Sequence, residues 1–154
     1  GLMIKDDEPY LIEYNIRMGD PECQVIMMSL ETDLVKIFDY ATQSKIDSLK
    51  IKLSKKKSIT FVLCSNGYPF SHVQDKEIKN LSNLKLSKDI QIFHAATYEK
   101  NNKIYSNGGR VLNVTSSAKS INEARKKSLA CLKKINWTDG FYRKDIGWKA
   151  VQNK

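Results

Sequence analysis

The stretch YLIEYNIRMGDPECQ, Tyr10 to Gln24, alternates apolar and polar side chains as far as Met18 and then breaks at Gly19-Asp20-Pro21-Glu22. Alternation with period two is the signature of a β-strand with unlike faces. Tyr10 to Met18 is therefore expected to be a strand. Ile12, Tyr14, Ile16 and Met18 point one way, and Glu13, Asn15 and Arg17 point the other. Glycine followed by Asp-Pro ends it. On such a strand a carboxylate and an amide two residues apart project side by side. Converging oxygens suit a hard cation such as magnesium, which takes oxygen ligands at ~2.0–2.1 Å and shares them with phosphates. An arginine one step further offers a fork for a phosphate or a carboxylate. Spacing alone serves two readings, a metal-facing strand or the solvent face of a half-exposed one.

Working outward, Gly1–Ile4 reads as a first strand, with Lys5-Asp6-Asp7-Glu8-Pro9 as the loop between the two. A lone hairpin is marginal in water, so its apolar face needs further sheet or a helix layer. After the break, Cys23–Leu30 fits a helical turn. Thr32 is the expected cap of an amphipathic helix from Leu34 to about Ser48, with Leu34, Ile37, Phe38 and Ala41 on one face. Lysine-rich LKIKLSKKK then changes the composition, and a domain boundary is expected there, dividing 1–48 from 49–154.

The second part is read as strands in SITFVLCS, DIQIFHAATY and KIYSNGGRVLNVTSSA, with a turn at NGYPF and a hairpin turn at EKNNK. SINEARKKSLACLKKI is a helix, with Ser120 as cap and Glu123 completing a capping box. DGFYRKDIGWKAV closes the chain with a short extended piece and a turn.

Composition bounds the function. The chain has 154 residues, and 26 Lys+Arg against 17 Asp+Glu give a net charge of +9. That excess raises nucleic-acid binding as a reading. The lysines are scattered, and no aromatic-and-basic pattern of an RNA-binding sheet accompanies them, so a solvated surface is preferred. Cys23, Cys64 and Cys131 have no metal-ligand spacing and fit free thiols in a reducing, cytoplasmic setting. His72 and His94 are isolated. No apolar run approaches the ~20 residues of a membrane span, and no leader opens the chain.

Several blocks together resemble the phosphoribosylamine–glycine ligase (glycinamide ribonucleotide synthetase) family. GLMIKDDEPYLIEYNIRMGDPECQ looks like the closing strands of that family's ATP-grasp domain, whose pattern is Glu-Phe-Asn-x-Arg-Phe-Gly-Asp-Pro-Glu-x-Gln, with Tyr14 and Met18 replacing the two phenylalanines. NGYP, IFHAATY, NGGRVLNVT, EAR and YRKDIGWKA follow in the family's order and spacing.

The resemblance implies an α+β chain: the end of an ATP-grasp domain, then a mainly antiparallel β domain with flanking helices, of the rudimentary single-hybrid type. It implies an ATP-dependent ligase joining glycine to 5-phosphoribosylamine through glycyl phosphate, in purine biosynthesis. Glu13 and Asn15 match the family's metal ligands for Mg2+ or Mn2+. Arg17 matches a catalytic arginine, and Gly19, Asp20, Pro21 and Glu22 would line the acceptor side. A further carboxylate ligand, the adenine pocket and the rest of the enzyme are expected upstream of Gly1, so the chain alone is expected to be inactive.

The sequence departs from the family after Gly67-Tyr68-Pro69, where FSHVQDKEI replaces a Gly, an aromatic and a Lys-Gly pair, and at Ala96, where the family has glycine. Gly108-Gly109-Arg110 reads equally as site-facing or as a hairpin exit needing glycine's freedom. Arg143 and Asp145 are expected to form a buried or domain-bridging ion pair. The alternatives are another ATP-grasp carboxylate–amine ligase, a basic nucleic-acid-binding module, or an interaction domain built from the second part.

Overall fold

A computed structural model describes residues 1–152. Strands β1 (Leu2–Lys5) and β2 (Glu8–Leu11) form an antiparallel hairpin pairing Leu2 with Leu11 and Lys5 with Glu8. The turn is only Asp6-Asp7, both left-handed at φ 52° and 61°. Aspartate tolerates that region, and two such residues match the twist of a tight hairpin. Pro9 thus lies in β2, opposite Ile4, rather than in the loop.

The expected strand Tyr10–Met18 stops at Leu11. The Gly1 carbonyl accepts from Ile12 N at 2.9 Å, and the Gly1 nitrogen donates to Glu13 O at 2.8 Å. Among the described residues no strand pairs with 14–18, the backbone bends at Ile16-Arg17, and Tyr14 and Ile16 stand 85% and 102% exposed.

Helix α1 (Glu22–Ser29) follows, then α2 (Leu34–Thr42). The cap of α2 is Asp33, which accepts from Lys36 N at 3.0 Å. Thr32, the expected cap, instead accepts from Lys52 N at 2.7 Å. The helix ends earlier than Ser48 because Ser44 turns left-handed (φ 54°), leaving only a 3-10 turn at Ile46–Ser48.

The remainder is built from β3 (Lys57–Ser65), β4 (Gln74–Glu77), β5 (Ile90–His94), β6 (Thr97–Lys100), β7 (Lys103–Asn107), β8 (Arg110–Ala118), α3 (Ile121–Leu132), β9 (Gly140–Phe141) and α4 (Trp148–Gln152). One sheet has the order β5-β8-β3-β9 and a second β4-β7-β6, with every pairing antiparallel. Each long strand expected from DIQIFHAATY and KIYSNGGRVLNVTSSA is two strands serving two sheets. The ribbon bends where Ala96 N donates to Arg110 O (3.0 Å) and Asn107 N to Ala96 O (2.9 Å). Gly108 permits this closeness, since a Cβ there would meet Ala96 Cβ at 2.8 Å.

The β3–β8 pair is the centre, and side chains opposite each other share a face. Ile59, Phe61 and Leu63 sit with Ser116, Val114 and Leu112. This apolar face carries α3, with Ala124 and Leu132 buried against it and Ser116 Oγ bonded to Ala124 O and Ser128 Oγ. Ser120 caps α3 by accepting from Glu123 N at 3.2 Å, while the Glu123 side chain lies 3.5 Å from Lys127 Nζ. On the opposite face Ser58–Ser117 and Thr60–Thr115 bond across the strands, and Ser29 of α1 reaches Ser58 at 3.2 Å. Helices on both faces bury β8 almost entirely.

Candidate functional site

Glycine and proline at Gly19-Asp20-Pro21 end the extended segment, and α1 begins at once. The corner is held locally: Gly19 N donates to Glu22 Oε2 at 3.1 Å, and Cys23 N to Gly19 O at 2.8 Å. A carboxylate at the first turn also suits the positive end of the helix. The corner, the preceding 13–18 segment and α1 enclose an open groove of about 1460 Å³, closed on one side by Leu34 and Phe38 of α2 and by Arg110 of β8. All seven residues singled out by sequence line this one groove: Glu13, Asn15, Arg17, Gly19, Asp20, Pro21 and Glu22.

Glu13 and Asn15 come together, with Asn15 Nδ2 donating to Glu13 Oε1 at 3.0 Å. The mechanism of approach differs from the strand face expected: the two meet in an irregular segment outside any sheet, which bends at Ile16-Arg17. Both are exposed, and half a turn of the Asn15 amide would present its oxygen beside the carboxylate. Their donor chemistry fits a hard divalent cation. Among the described residues no group of three or more His, Cys, Asp or Glu side chains gathers into a metal cage. Arg17 folds back, donating from Nη1 to Met18 O at 2.8 Å.

Asp20 is the best-anchored member. Its Oδ1 accepts from Gln24 Nε2 at 2.7 Å and Asn113 Nδ2 at 3.4 Å. Arg110 reaches it twice, Nη1 to the Asp20 carbonyl at 3.1 Å and Nη2 to Oδ2 at 3.4 Å. These bonds tie the corner to β8. An ion pair therefore links the corner to β8 through Arg110 and Asp20, whereas Arg143–Asp145, expected to be buried or bridging, links nothing distant. The latter is an exposed local pair at 2.6 Å, 68% and 51% accessible, because both residues lie on the same surface turn. The tail is held instead by Arg125, which donates to the carbonyls of Ile146 and Lys144.

Behind Pro21 lies a smaller, nearly apolar cavity of about 380 Å³ between Cys64, Tyr68, Phe141 and Ile146, with Arg110 and Arg143 at its edge. Burial pushes the Cys64 thiol up, outweighing the pull of Arg110. Tyr68 fills space that Gly109 leaves open; a Cβ at Gly109 would come within 2.4 Å of its ring. The Gly-Gly-Arg run therefore serves the hairpin bend, the Tyr68 contact and the groove together. In the divergent loop after Pro69, Gln74–Glu77 forms β4, a strand sequence reasoning missed, and Tyr98 OH donates to Asp75 at 2.7 Å. Gln24 and Asn113 were also missed. The signal was present for Asn113, an amide inside the apolar run VLNV.

Comparison with known proteins covers both parts of the chain. The family model described as phosphoribosylglycinamide synthetase, C domain, matches residues 58–149. A phosphoribosylamine–glycine ligase of Brucella melitensis is 41% identical over 154 residues, covering 100% of this chain and 36% of the relative. A chloroplastic one from Arabidopsis thaliana is 42% identical, again over 100% of this chain but 30% of its own length. The crystal structure of phosphoribosylamine–glycine ligase from Thermotoga maritima superimposes with a TM-score of 0.71 at 32% identity, covering 94% of this chain and 35% of that one. The chain spans about a third of the length of these relatives.

Proposed function

The chain belongs to the phosphoribosylglycinamide synthetase C-domain family, and on that premise we propose that it is the C-terminal portion of a phosphoribosylamine–glycine ligase. One observation carries the reading furthest. Similarity runs the full length of the chain, so it includes the groove residues Glu13 to Glu22, which lie ahead of the family model's own span.

In the complete enzyme a glycine carboxylate oxygen attacks the terminal phosphorus of ATP and ADP leaves. The amine of 5-phosphoribosylamine then attacks the glycyl carbonyl and phosphate leaves. Glu13 and Asn15 would hold Mg2+ or Mn2+, which when bound neutralises phosphate charge. Arg17, released from Met18 O, would grip the phosphate or the carboxylate with its fork. The Gly19–Glu22 corner would line the acceptor side. The exposed Tyr14 and Ile16 and the unpaired backbone beyond Glu13 suit a covering sheet from the remainder of the enzyme. This part would supply the adenine pocket and a further carboxylate.

The domain division at 48/49 is kept as part of this reading, as is a cytoplasmic setting. Among the described residues no helix is long and apolar enough to cross a membrane. Nucleic acid is not favoured as a partner, since the similarity to phosphoribosylamine–glycine ligases runs through the whole chain.

The test is ADP release by the complete polypeptide, with phosphoribosylamine and a panel of amino acids. Glycine is expected to be preferred. Preference for another carboxylate or acceptor would replace this reading with that of a different ATP-grasp ligase.

A further inference from the structure

We propose that Arg110 is a positioning residue for the ligation, fixing the Gly19–Glu22 corner through Asp20. This rests on the functional reading above. Arg110 stands at the start of β8, in the second part of the chain, yet it lines the groove formed by the first part. It holds Asp20 at two places. The bond to the carbonyl fixes the backbone of the corner, and the contact with Oδ2 fixes the side-chain rotamer. Asn113, three residues along β8, adds a third contact, to Oδ1.

Stability does not explain this arrangement. The Arg110 and Asp20 side chains are 43% and 34% accessible, and ion pairs so open to water contribute little. Asn113 is completely buried, and its Oδ1 has no partner; the same is true of Gln24 Oε1. An apolar side chain at 113 would avoid that cost. What the polar set does supply is orientation. Gln24, Asn113 and Arg110, from two elements, converge on one carboxylate whose neighbours, Gly19, Pro21 and Glu22, form the groove wall. Because β8 is the most buried strand of the molecule, Arg110 refers the corner to the rigid core rather than to the loosely held 13–18 segment. A misplacement of about 1 Å at a reacting group can cost on the order of 100-fold in rate.

Two readouts test the proposal. Hydrogen exchange on the complete enzyme follows the amides of Gly19, Asp20, Glu22 and Cys23 in wild type, Arg110→Ala and Asp20→Asn. Exchange at the corner is expected to quicken about tenfold or more in Arg110→Ala, and less in Asp20→Asn, which keeps acceptors but loses the charge. Peptides from the centre of β8 should not change. In the complete enzyme Arg110→Ala is expected to lower kcat by roughly 10- to 100-fold with the KM for ATP unchanged, and Arg110→Lys should recover part of the loss. Unchanged corner exchange, or an unchanged kcat, overturns the proposal. A wild-type enzyme that ligates no glycine overturns the functional reading, while the exchange measurement still decides whether Arg110 holds the corner.

Discussion

Asn15 Nδ2 lies 3.0 Å from Glu13 Oε1, although no strand holds the two residues in register. The pair is made locally, within an irregular segment at whose start Gly1 N donates to Glu13 O. Two oxygen-bearing side chains satisfy only part of an octahedral shell of six, so most of the remaining ligands must be water or phosphate. Calorimetry of the 154-residue chain with Mg-ATP is accordingly expected to show no binding in the micromolar range. A micromolar Kd would mean that the groove is already a complete nucleotide site.

The core prediction concerns Phe61. It is 1% exposed, on the apolar face of β3 opposite Val114. Replacing it with alanine leaves a cavity between the sheet and α3, and the expected cost is about 3–5 kcal/mol. Urea unfolding should show a lower midpoint with an unchanged slope. A loss of less than about 1 kcal/mol would mean that the layer collapses around the gap.

Gly140 carries a steric prediction. A Cβ there would lie 2.1 Å from Trp137 Cζ3 and 2.7 Å from the backbone oxygen of Cys64. The ring can be displaced by rotation of its side chain, but the carbonyl belongs to the β3–β9 pairing and is held there. Gly140→Ala should therefore destabilise by roughly 1–3 kcal/mol or more and shift Trp137 fluorescence. Gly109→Ala, whose nearest opposing atoms belong to the Tyr68 side chain, should cost less. The reverse order would contradict the packing.

Asp89 gives a pH dependence. Hydrogen bonds from Lys56 at 2.7 Å and Lys127 at 3.2 Å hold its carboxyl below the usual range, against a smaller opposing effect of desolvation. A carboxyl with a depressed folded-state pKa contributes stability above its unfolded value of ~3.9, and that contribution disappears as pH falls through the folded value. Wild type should thus lose stability relative to Asp89→Asn as pH drops from about 5 toward 2. Parallel curves for the two proteins across that window would remove Asp89 from the account.

Local patterns made much of the second part readable. SITFVLCS became β3, and Ser120 became the cap of α3, because strand alternation and capping act over a few residues. The failures share a cause. Tyr10–Met18 has strand periodicity, but a ladder needs a neighbour, and among the described residues none pairs with 14–18. KIYSNGGRVLNVTSSA looks continuous, but the bend at Gly108 is set by the approach of Ala96 from the other strand. Asp33 displaced Thr32 as a cap because the Thr32 hydroxyl was taken by Lys52, a residue distant in sequence. The groove residues were legible as a motif, whereas Arg110, Asn113 and Gln24 meet Asp20 only through tertiary packing.

If Glu13 and Asn15 hold the metal as proposed, the Mg2+ requirement of the complete enzyme runs through them. The direct measurement is the rate of ATP-dependent joining of glycine to phosphoribosylamine, in the complete polypeptide, as Mg2+ is titrated against wild type and Glu13→Gln. The account predicts a loss on the order of 100-fold in Glu13→Gln, with a higher Mg2+ requirement, in a protein that melts as wild type does. A Glu13→Gln enzyme with wild-type rate and wild-type Mg2+ dependence would contradict it.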